Sequence, residues 1–207
     1  MTATNQSPAP APHRRTIGLM MDDVDGEYQR TIWVGVEEAA READVDVVCF
    51  LGGDINPAIE ANRYKNAVFN LISPDHLDGL IIVSTVLATY IGNENLREYC
   101  SRYSPLPMVS LGFLLSGICS VLVDSQDGIR QIICHLIDEH KRSKFVFLSG
   151  TSNNADSVER QRLFVDTLTS RNIPINPEFI ISGNFHTEQG YEIISGLLDR
   201  GCDFDAV

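Results

Sequence analysis

The amino-acid sequence predicts an α/β protein with parallel β-sheets and helices on both faces of each sheet. Three observations predict this fold. Short apolar runs alternate along the chain with segments whose apolar residues recur at helical spacing. The intervals between the runs leave room for the crossover helices that parallel strands need. The alternation restarts near residues 124–128, which predicts two lobes, residues 16–124 and residues 125–207, after a flexible Pro/Ala-rich tail at residues 1–15.

The elements of the first lobe follow from their local patterns. Thr16–Met21 is a short apolar run and predicts a buried strand. Apolar residues between Tyr28 and Val36 recur at helical spacing, which predicts an amphipathic helix over Glu27–Glu42. Pro57 suits the first turn of a helix over residues 57–71. The same reasoning gives strands at residues 45–51, 80–83, 108–111 and 121–123 and a short helix at residues 94–103.

In the second lobe a stripe of Ile129, Ile132, Ile133 and Leu136 predicts a helix over residues 127–139. Further strands are expected at residues 145–148, 179–181 and 204–207, and further helices at residues 157–170 and 188–200. A parallel strand is normally buried and followed by a crossover. We therefore expect the chain to be a fragment of a longer protein with an incomplete second lobe, and a longer chain should melt at a higher temperature.

The composition excludes several classes of protein. Hydrophobic residues make up 43% of the chain and charged residues 21%, which excludes wholesale disorder. Asp and Glu outnumber Lys and Arg by 28 to 16, and the net charge of −12 argues against direct contact with nucleic acid. The longest uncharged stretch, residues 79–93, is too short and too interrupted by hydroxyl side chains to span a membrane.

The cysteines and the N-terminus predict a cytoplasmic protein. The chain has five cysteines, an odd number, and no two of them form a C-x-x-C pair. We expect reduced, mostly buried thiols. Residues 1–15 contain no apolar stretch of the kind found in a secretory signal peptide.

Motifs for a cofactor or a metal are weak. The first strand is followed by Asp22-Asp23-Val24-Asp25 rather than by a glycine-rich turn, and this acidic turn would repel a pyrophosphate. Gly52-Gly53-Asp54-Ile55 matches only the start of the GGDEF signature of diguanylate cyclases, so we interpret it as a loop at the end of a strand. We expect no cofactor.

His135 and His140 form a possible metal pair, but their spacing argues against it. Residues five apart lie about 140° apart on a helix, whereas helical zinc ligands are four apart. The sequence therefore predicts a helix terminus with one buried and one solvated histidine, and no metal site.

A ligand cleft is expected where the carboxyl ends of the strands meet. Polar residues with interspersed aromatic residues follow the predicted strands at residues 22–28, 52–54, 84–85, 112–113, 151–160 and 184–186. Such a lining suits a small hydroxylated or heterocyclic ligand.

Several segments together carry a family resemblance. They are Thr16-Ile-Gly-Leu-Met-Met-Asp-Asp, Asp78-Gly-Leu-Ile-Ile, Leu106-Pro-Met-Val-Ser-Leu-Gly112 and Ser157-Val-Glu-Arg160. In their order and spacing the chain resembles the LacI/GalR-type ligand-binding domain over residues 16–207. The resemblance implies a periplasmic-binding-protein-like type I fold with two Rossmann-like lobes.

The resemblance also implies roles for four residues. Tyr28 would line the cleft, Arg160 would hydrogen-bond the ligand, Phe185 would stack on it, and Asp124 would lie at the crossover between lobes. Two alternatives stay open: Arg160 as a surface residue paired with a neighbouring carboxylate, and Phe185 as a core aromatic. With the residues at the strand ends, the candidate ligand-binding set is Asp22, Tyr28, Gly53, Ser84, Asp124, Asn154, Arg160 and Phe185.

The resemblance is closest to domains that serve as sensor modules of bacterial signalling proteins. We therefore expect a cytoplasmic homodimer without catalytic activity, in which a sugar or nucleoside-like effector closes the lobes and controls an output domain. Two alternatives are the effector-binding domain of a LacI-family transcription regulator, with its DNA-binding part elsewhere, and a small α/β enzyme that uses Asp22 or Asp124.

Overall fold

The computed structural model describes residues 14–55 and 60–207. Five parallel strands form the first sheet in the order β2-β1-β3-β4-β5. These strands are β1 (Thr16–Met21), β2 (Asp46–Leu51), β3 (Gly79–Val83), β4 (Met108–Leu111) and β5 (Cys119–Val121). Strand β1 lies between β2 and β3, so both of its edges are paired, and side chains packed on both faces leave Leu19, Met20 and Met21 fully buried.

Helices cover this sheet on both faces. They are α1 (Glu27–Glu42), α2 (Glu60–Lys65) with a 3-10 helix at Asn66–Leu71, α3 (Ser84–Leu87) and α4 (Gly92–Ser101). Helix α1 packs Ile32, Trp33 and Val36 against Leu19 and its neighbours on one face. Because side chains alternate along a strand, Met20 points to the other face, where it packs in a second cluster with residues of the 3-10 helix and α4.

A second, two-stranded parallel sheet contains β6 (Phe147–Ser149) and β7 (Ile180–Ser182). Its helices are α5 (Gln126–Asp138), α6 (Ala155–Ser170) and α7 (Thr187–Asp199). Phe164 of α6 stacks on Phe147 at 4.7 Å between ring centroids and joins Ile133 of α5 in a core. Phe145 forms an isolated parallel bridge with Ala206.

The mixed α/β architecture with parallel strands is as predicted, and the bounds of β1, α1 and β4 match the sequence pattern. The strand expected at residues 121–123 lies two residues earlier, because Leu122 and Val123 are exposed beyond an edge strand. The strand expected at residues 204–207 is only the bridge at Ala206. Helix α3 was not predicted.

Three further expectations can be compared with the structure. Part of the helix expected over residues 57–71 is a 3-10 helix, and its predicted start at Pro57 lies outside the described residues, as does most of the predicted tail. The expectation of mostly buried thiols was wrong: only Cys100 is buried, and Cys119 is exposed because β5 is an edge strand. Within the described residues no helix is long and apolar enough to cross a membrane.

The predicted arrangement of His135 and His140 was also wrong. Both side chains are exposed, and their rings contact each other. Helical geometry did not apply because α5 ends at Asp138, so His140 lies outside the helix and the chain can fold it back over the last turn.

Candidate functional site

A cavity of about 790 Å³ lies at the carboxyl ends of strands from both sheets. Asp22 after β1, Asp54 after β2 and Thr85 after β3 line one side of it. Gly150 after β6 and Phe185 after β7 line the other. This position is where ligands bind in open parallel sheets, and it agrees with the cleft expected from the sequence.

Asp22 is the most buried charged residue of the cavity wall, with 9% of its surface exposed. Its backbone carbonyl accepts a hydrogen bond from the Gly53 amide at 2.8 Å, and its Oδ2 accepts one from the Gln29 amide at 3.1 Å. Its Oδ1 is buried without a partner among the described residues. Burial raises the pKa of Asp22, and the hydrogen bonds from Asp23 and Gln29 partly offset that rise.

The loop after β2 brings a second carboxylate to the cavity. Gly53 adopts a φ of +68°, which favours glycine, and the Asn66 side-chain amide donates to the carbonyls of Gly52 at 2.8 Å and Asp54 at 3.1 Å. Burial raises the pKa of Asp54, and repulsion from Asp23 raises it further. Gly53 therefore shapes the loop that presents Asp54, and its own atoms do not line the cavity.

Helix α3 begins directly after β3 with two hydroxyl residues, Ser84 and Thr85, whose side chains point in different directions. Thr85 lines the cavity, where its Oγ1 lies 3.0 Å from the Tyr28 hydroxyl. Ser84 is fully buried: its Oγ donates to the Leu111 carbonyl at 2.7 Å and accepts from the Phe113 amide at 2.9 Å. The structure therefore does not bring Ser84 to the cavity, because its hydroxyl is held by the loop after β4.

The start of α6 forms part of the opposite wall. Asn154 caps this helix by accepting from the Ser157 amide at 2.9 Å, and the Ser157 hydroxyl accepts from the Gly150 amide at 2.6 Å. Arg160 follows on the same helix and lines the cavity. Its neighbour Glu159 is bound by Arg162 at 2.7 and 2.8 Å rather than by Arg160.

Arg160 acts electrostatically on the cavity wall. Burial raises the pKa of Asp156, and the positive charge of Arg160 partly offsets this rise. Arg160 is exposed and lines the cavity, and the carboxylate of Asp156 lies near it on the same helix, so a ligand-binding role and a surface ion pair both stay predictions for this residue.

Phe185 is 60% exposed and is not a core aromatic. Its backbone has a φ of +67°, which is uncommon for a residue with a side chain. The ring lies over Gly150, where an added Cβ would come within 1.9 Å of the ring. Glycine at this position is thus what allows Phe185 to cover the end of β6 at the cavity. Gln189 of α7 also lines the cavity, and its Oε1 is buried without a partner among the described residues.

Asp124 lies away from the cavity. It is exposed, and its Oδ1 accepts from the Gln126 amide at 3.1 Å, where α5 begins. The structure thus brings together five of the eight candidate residues, Asp22, Tyr28, Asn154, Arg160 and Phe185, and leaves out Gly53, Ser84 and Asp124. Asp54 and Thr85 take the places of Gly53 and Ser84. Gln189 carried no recognisable signal in the sequence.

The chemistry of the wall favours a ligand that donates hydrogen bonds. Its charged side chains include the carboxylates of Asp22, Asp23, Asp54 and Asp156 against the guanidinium of Arg160. Excess negative charge repels anionic ligands. The buried oxygens of Asp22 and Gln189 are acceptors without donors, which is costly unless a ligand or water supplies the donors. Tyr28, Tyr90 and Phe185 add aromatic surface.

Comparison with known proteins points to one group of relatives, although no family model matches the chain. The chain is 26% identical over 185 residues to the sucrose operon repressor of Klebsiella pneumoniae, covering 89% of this chain and 52% of that protein. It is 24% identical over 188 residues to the HTH-type transcriptional repressor PurR of Haemophilus influenzae, covering 90% of this chain and 52% of the repressor. The chain thus spans about half the length of these relatives.

Solved structures agree with the sequence relatives. A LacI family transcriptional regulator from Burkholderia phymatum superposes with a TM-score of 0.72 at 28% identity, over 91% of this chain and 66% of that one. The chain is therefore similar in both sequence and fold to LacI-family transcription regulators.

Proposed function

We propose that this chain is the effector-binding domain of a LacI/GalR-type transcription regulator and that its effector is a neutral molecule rich in hydroxyl groups, a sugar or a nucleoside. The observation that carries the proposal is the cavity itself, whose wall comes from both sheets. Hydroxyl groups would supply the donors that Asp22 Oδ1 and Gln189 Oε1 lack. The similarity to a sucrose operon repressor supports a sugar as the first choice.

Ligand binding would be coupled to regulation through two lobes, residues 16–124 and residues 125–207. A ligand that contacts Asp22 and Thr85 on one side and Arg160 and Phe185 on the other interacts best when the two sides are close. It therefore favours a closed arrangement by the difference between its affinities for the closed and open forms. In this proposal the domain works as a homodimer in the cytoplasm, and DNA is contacted by another part of the regulator rather than by this acidic chain.

A signalling output domain is the second regulatory interpretation. It rests on the sequence resemblance to sensor modules. The relatives reported above are transcription regulators, so they support a transcriptional output over a signalling one. A small α/β enzyme has less support, because Asp124 lies apart from Asp22 and does not line the cavity.

A chimera tests whether the domain controls transcription or a signalling output domain. The chain would be fused behind the DNA-binding head of the Haemophilus PurR relative and placed upstream of a reporter that carries the matching operator. We expect the reporter to respond to an effector found in the screen described next. A chimera that binds the effector and the operator but never changes reporter expression would favour the signalling output.

A thermal-shift screen tests ligand binding in the chain as it stands. The panel contains neutral mono- and disaccharides, nucleosides and the phosphorylated forms of both. A ligand present at about 100 times its dissociation constant should stabilise the domain by roughly 2.7 kcal/mol. We expect some of the neutral compounds to raise the melting temperature, and we expect no compound to raise it only in its phosphorylated form. Hits confined to phosphorylated compounds would contradict the proposed ligand chemistry.

Arg160→Ala tests whether a ligand found in the screen binds in the cavity. Replacing a charged hydrogen-bond donor to a ligand costs about 1.5–3 kcal/mol, or roughly ten- to a hundredfold in affinity. We expect that loss by calorimetry without a lower melting temperature of the free domain. Arg162→Ala is the matched control, because Arg162 lies on the same helix and pairs with Glu159 outside the cavity. Equal affinities for both variants would remove Arg160 from the site.

A further inference from the structure

The two histidines at the end of α5 form a pair of nitrogen atoms that the ligand cavity does not use. The Nε2 atoms of His135 and His140 are 3.1 Å apart, and their ring planes meet at 78°. Neither residue lines the cavity. Both side chains are exposed, so an ion in solution can reach them.

The backbone holds the pair together. The amides of Glu139 and His140 both donate to the His135 carbonyl, at 2.9 and 3.4 Å, and the Arg142 amide donates to the Leu136 carbonyl at 3.0 Å. Lys141 adopts a φ of +55°, in the left-handed region, which reverses the chain after the helix. The hydrogen bond from the His140 amide to the His135 carbonyl, five residues back, keeps His140 beside the last turn of α5, where His135 lies.

We propose that His135 and His140 bind one divalent transition-metal ion of the kind that prefers imidazole, such as Cu²⁺, Ni²⁺ or Zn²⁺. Imidazole nitrogens bind zinc at about 2.0–2.1 Å, and two such bonds to nitrogens 3.1 Å apart meet at roughly 98°. This angle lies between the roughly 90° of square-planar and octahedral sites and the roughly 109° of tetrahedral ones. In the structure one Nε2 donates a hydrogen bond to the other, so metal binding requires both rings to carry their proton on Nδ1 and to turn until the two Nε2 lone pairs meet at one ion.

The groups around the two histidines determine how tightly the pair should bind a metal ion and which ion it should prefer. The carbonyl end of a helix favours a cation, and α5 ends here. The Asp138 carboxylate is engaged with Arg171 at 2.9 Å, and the Lys141 ammonium donates to the Asp138 backbone carbonyl, so two cationic side chains lie at this end of the helix. Among the described residues no group of three or more His, Cys, Asp or Glu side chains could hold a metal. Water would complete the coordination, and the affinity should follow the order Cu²⁺ above Zn²⁺.

Calorimetric titration of the untagged, metal-free chain with Cu²⁺ and with Zn²⁺ tests the site. We expect one ion per chain and tighter binding of Cu²⁺. His135→Ala and His140→Ala should each weaken binding at least about tenfold, since even the loss of an outer-shell partner commonly costs that much. His76→Ala is the control, because His76 is an exposed histidine elsewhere on the surface.

Two further measurements separate a loss of metal ligands from a loss of folding. Circular dichroism should show that both variants remain folded, as expected for exposed side chains, and the electron paramagnetic resonance spectrum of the Cu²⁺ form should show two nitrogen ligands. Undiminished affinity in the double variant His135→Ala/His140→Ala would overturn the proposal. So would a loss of affinity that appears only when His76, or His13 outside the described residues, is replaced.

Discussion

Ser84→Ala tests whether the serine at the end of β3 supports the fold rather than a ligand. Ser84 and Ser110 are both fully buried, and their hydroxyl oxygens are 2.7 Å apart. Removal of the Ser84 hydroxyl leaves the Phe113 amide without its acceptor at 2.9 Å and the Leu111 carbonyl without its donor at 2.7 Å. A buried polar group left without a partner costs about 1–3 kcal/mol, so the two together predict a loss of roughly 2–6 kcal/mol of folding free energy.

Urea unfolding followed by Trp33 fluorescence and by circular dichroism measures this loss. The slope of the transition should not change, because the substitution leaves the exposed surface of the unfolded chain nearly the same. With a slope of roughly 2 kcal/mol per M, the midpoint should fall by about 1–3 M. Ser101→Ala is the matched control, since its exposed hydroxyl donates only to the Glu98 carbonyl, and surface changes of this kind stay within about 0.5 kcal/mol.

The reasoning fails if Ser84→Ala destabilises the domain no more than Ser101→Ala does. It also fails if Ser84→Ala reduces the affinity for a ligand while the folding free energy is unchanged. The first result would mean that the buried hydrogen bonds of Ser84 do not stabilise the fold, and the second that its hydroxyl faces the cavity.

Three further predictions concern the cavity wall and the surface charge. The raised pKa of Asp22 means that the folded state holds a proton more tightly than the unfolded chain, so ionised Asp22 costs stability as the pH rises above its ordinary pKa of 3.8. Asp22→Asn removes this cost. Thermal melts should therefore show the variant gaining stability relative to the unmodified chain between pH 4 and pH 7. Gly150→Ala should displace the Phe185 ring and weaken ligand binding, whereas Gly196→Ala, whose added Cβ meets nothing within 4 Å, should leave binding unchanged and stabilise α7 by about 0.5–1 kcal/mol. The net charge of −12 predicts no retardation of duplex DNA by this chain in a gel-shift assay, even at low salt.

The sequence predicts the elements best where a single periodicity controls them. Residues of β1 are apolar throughout because the strand is covered on both faces, and α1 carries one clean apolar stripe, so both elements could be bounded from their patterns alone. The position of the cavity was also predictable, because parallel strands bring their carboxyl ends to one edge.

The exact lining of the cavity could not be predicted, because tertiary contacts decide which of two neighbours faces it. Ser84 turns inward only because the loop after β4 offers it hydrogen-bond partners, and this leaves Thr85 at the cavity. In the same way Gly53 bends the loop and Asp54 reaches the wall. The contact between His135 and His140 depends on the end of α5 at Asp138 and on a hydrogen bond from the His140 amide to the His135 carbonyl, which helical spacing cannot reveal.

The most direct test of the proposed function is a titration of the isotope-labelled chain with the strongest neutral hit of the screen, followed by backbone amide NMR shifts. We expect the amides around Asp22 and Thr85 in one half and around Gly150 and Phe185 in the other to shift together and to saturate at a single dissociation constant. Shifts confined to one of the two halves, or found only at surfaces away from the strand ends, would contradict a ligand site shared by both sheets.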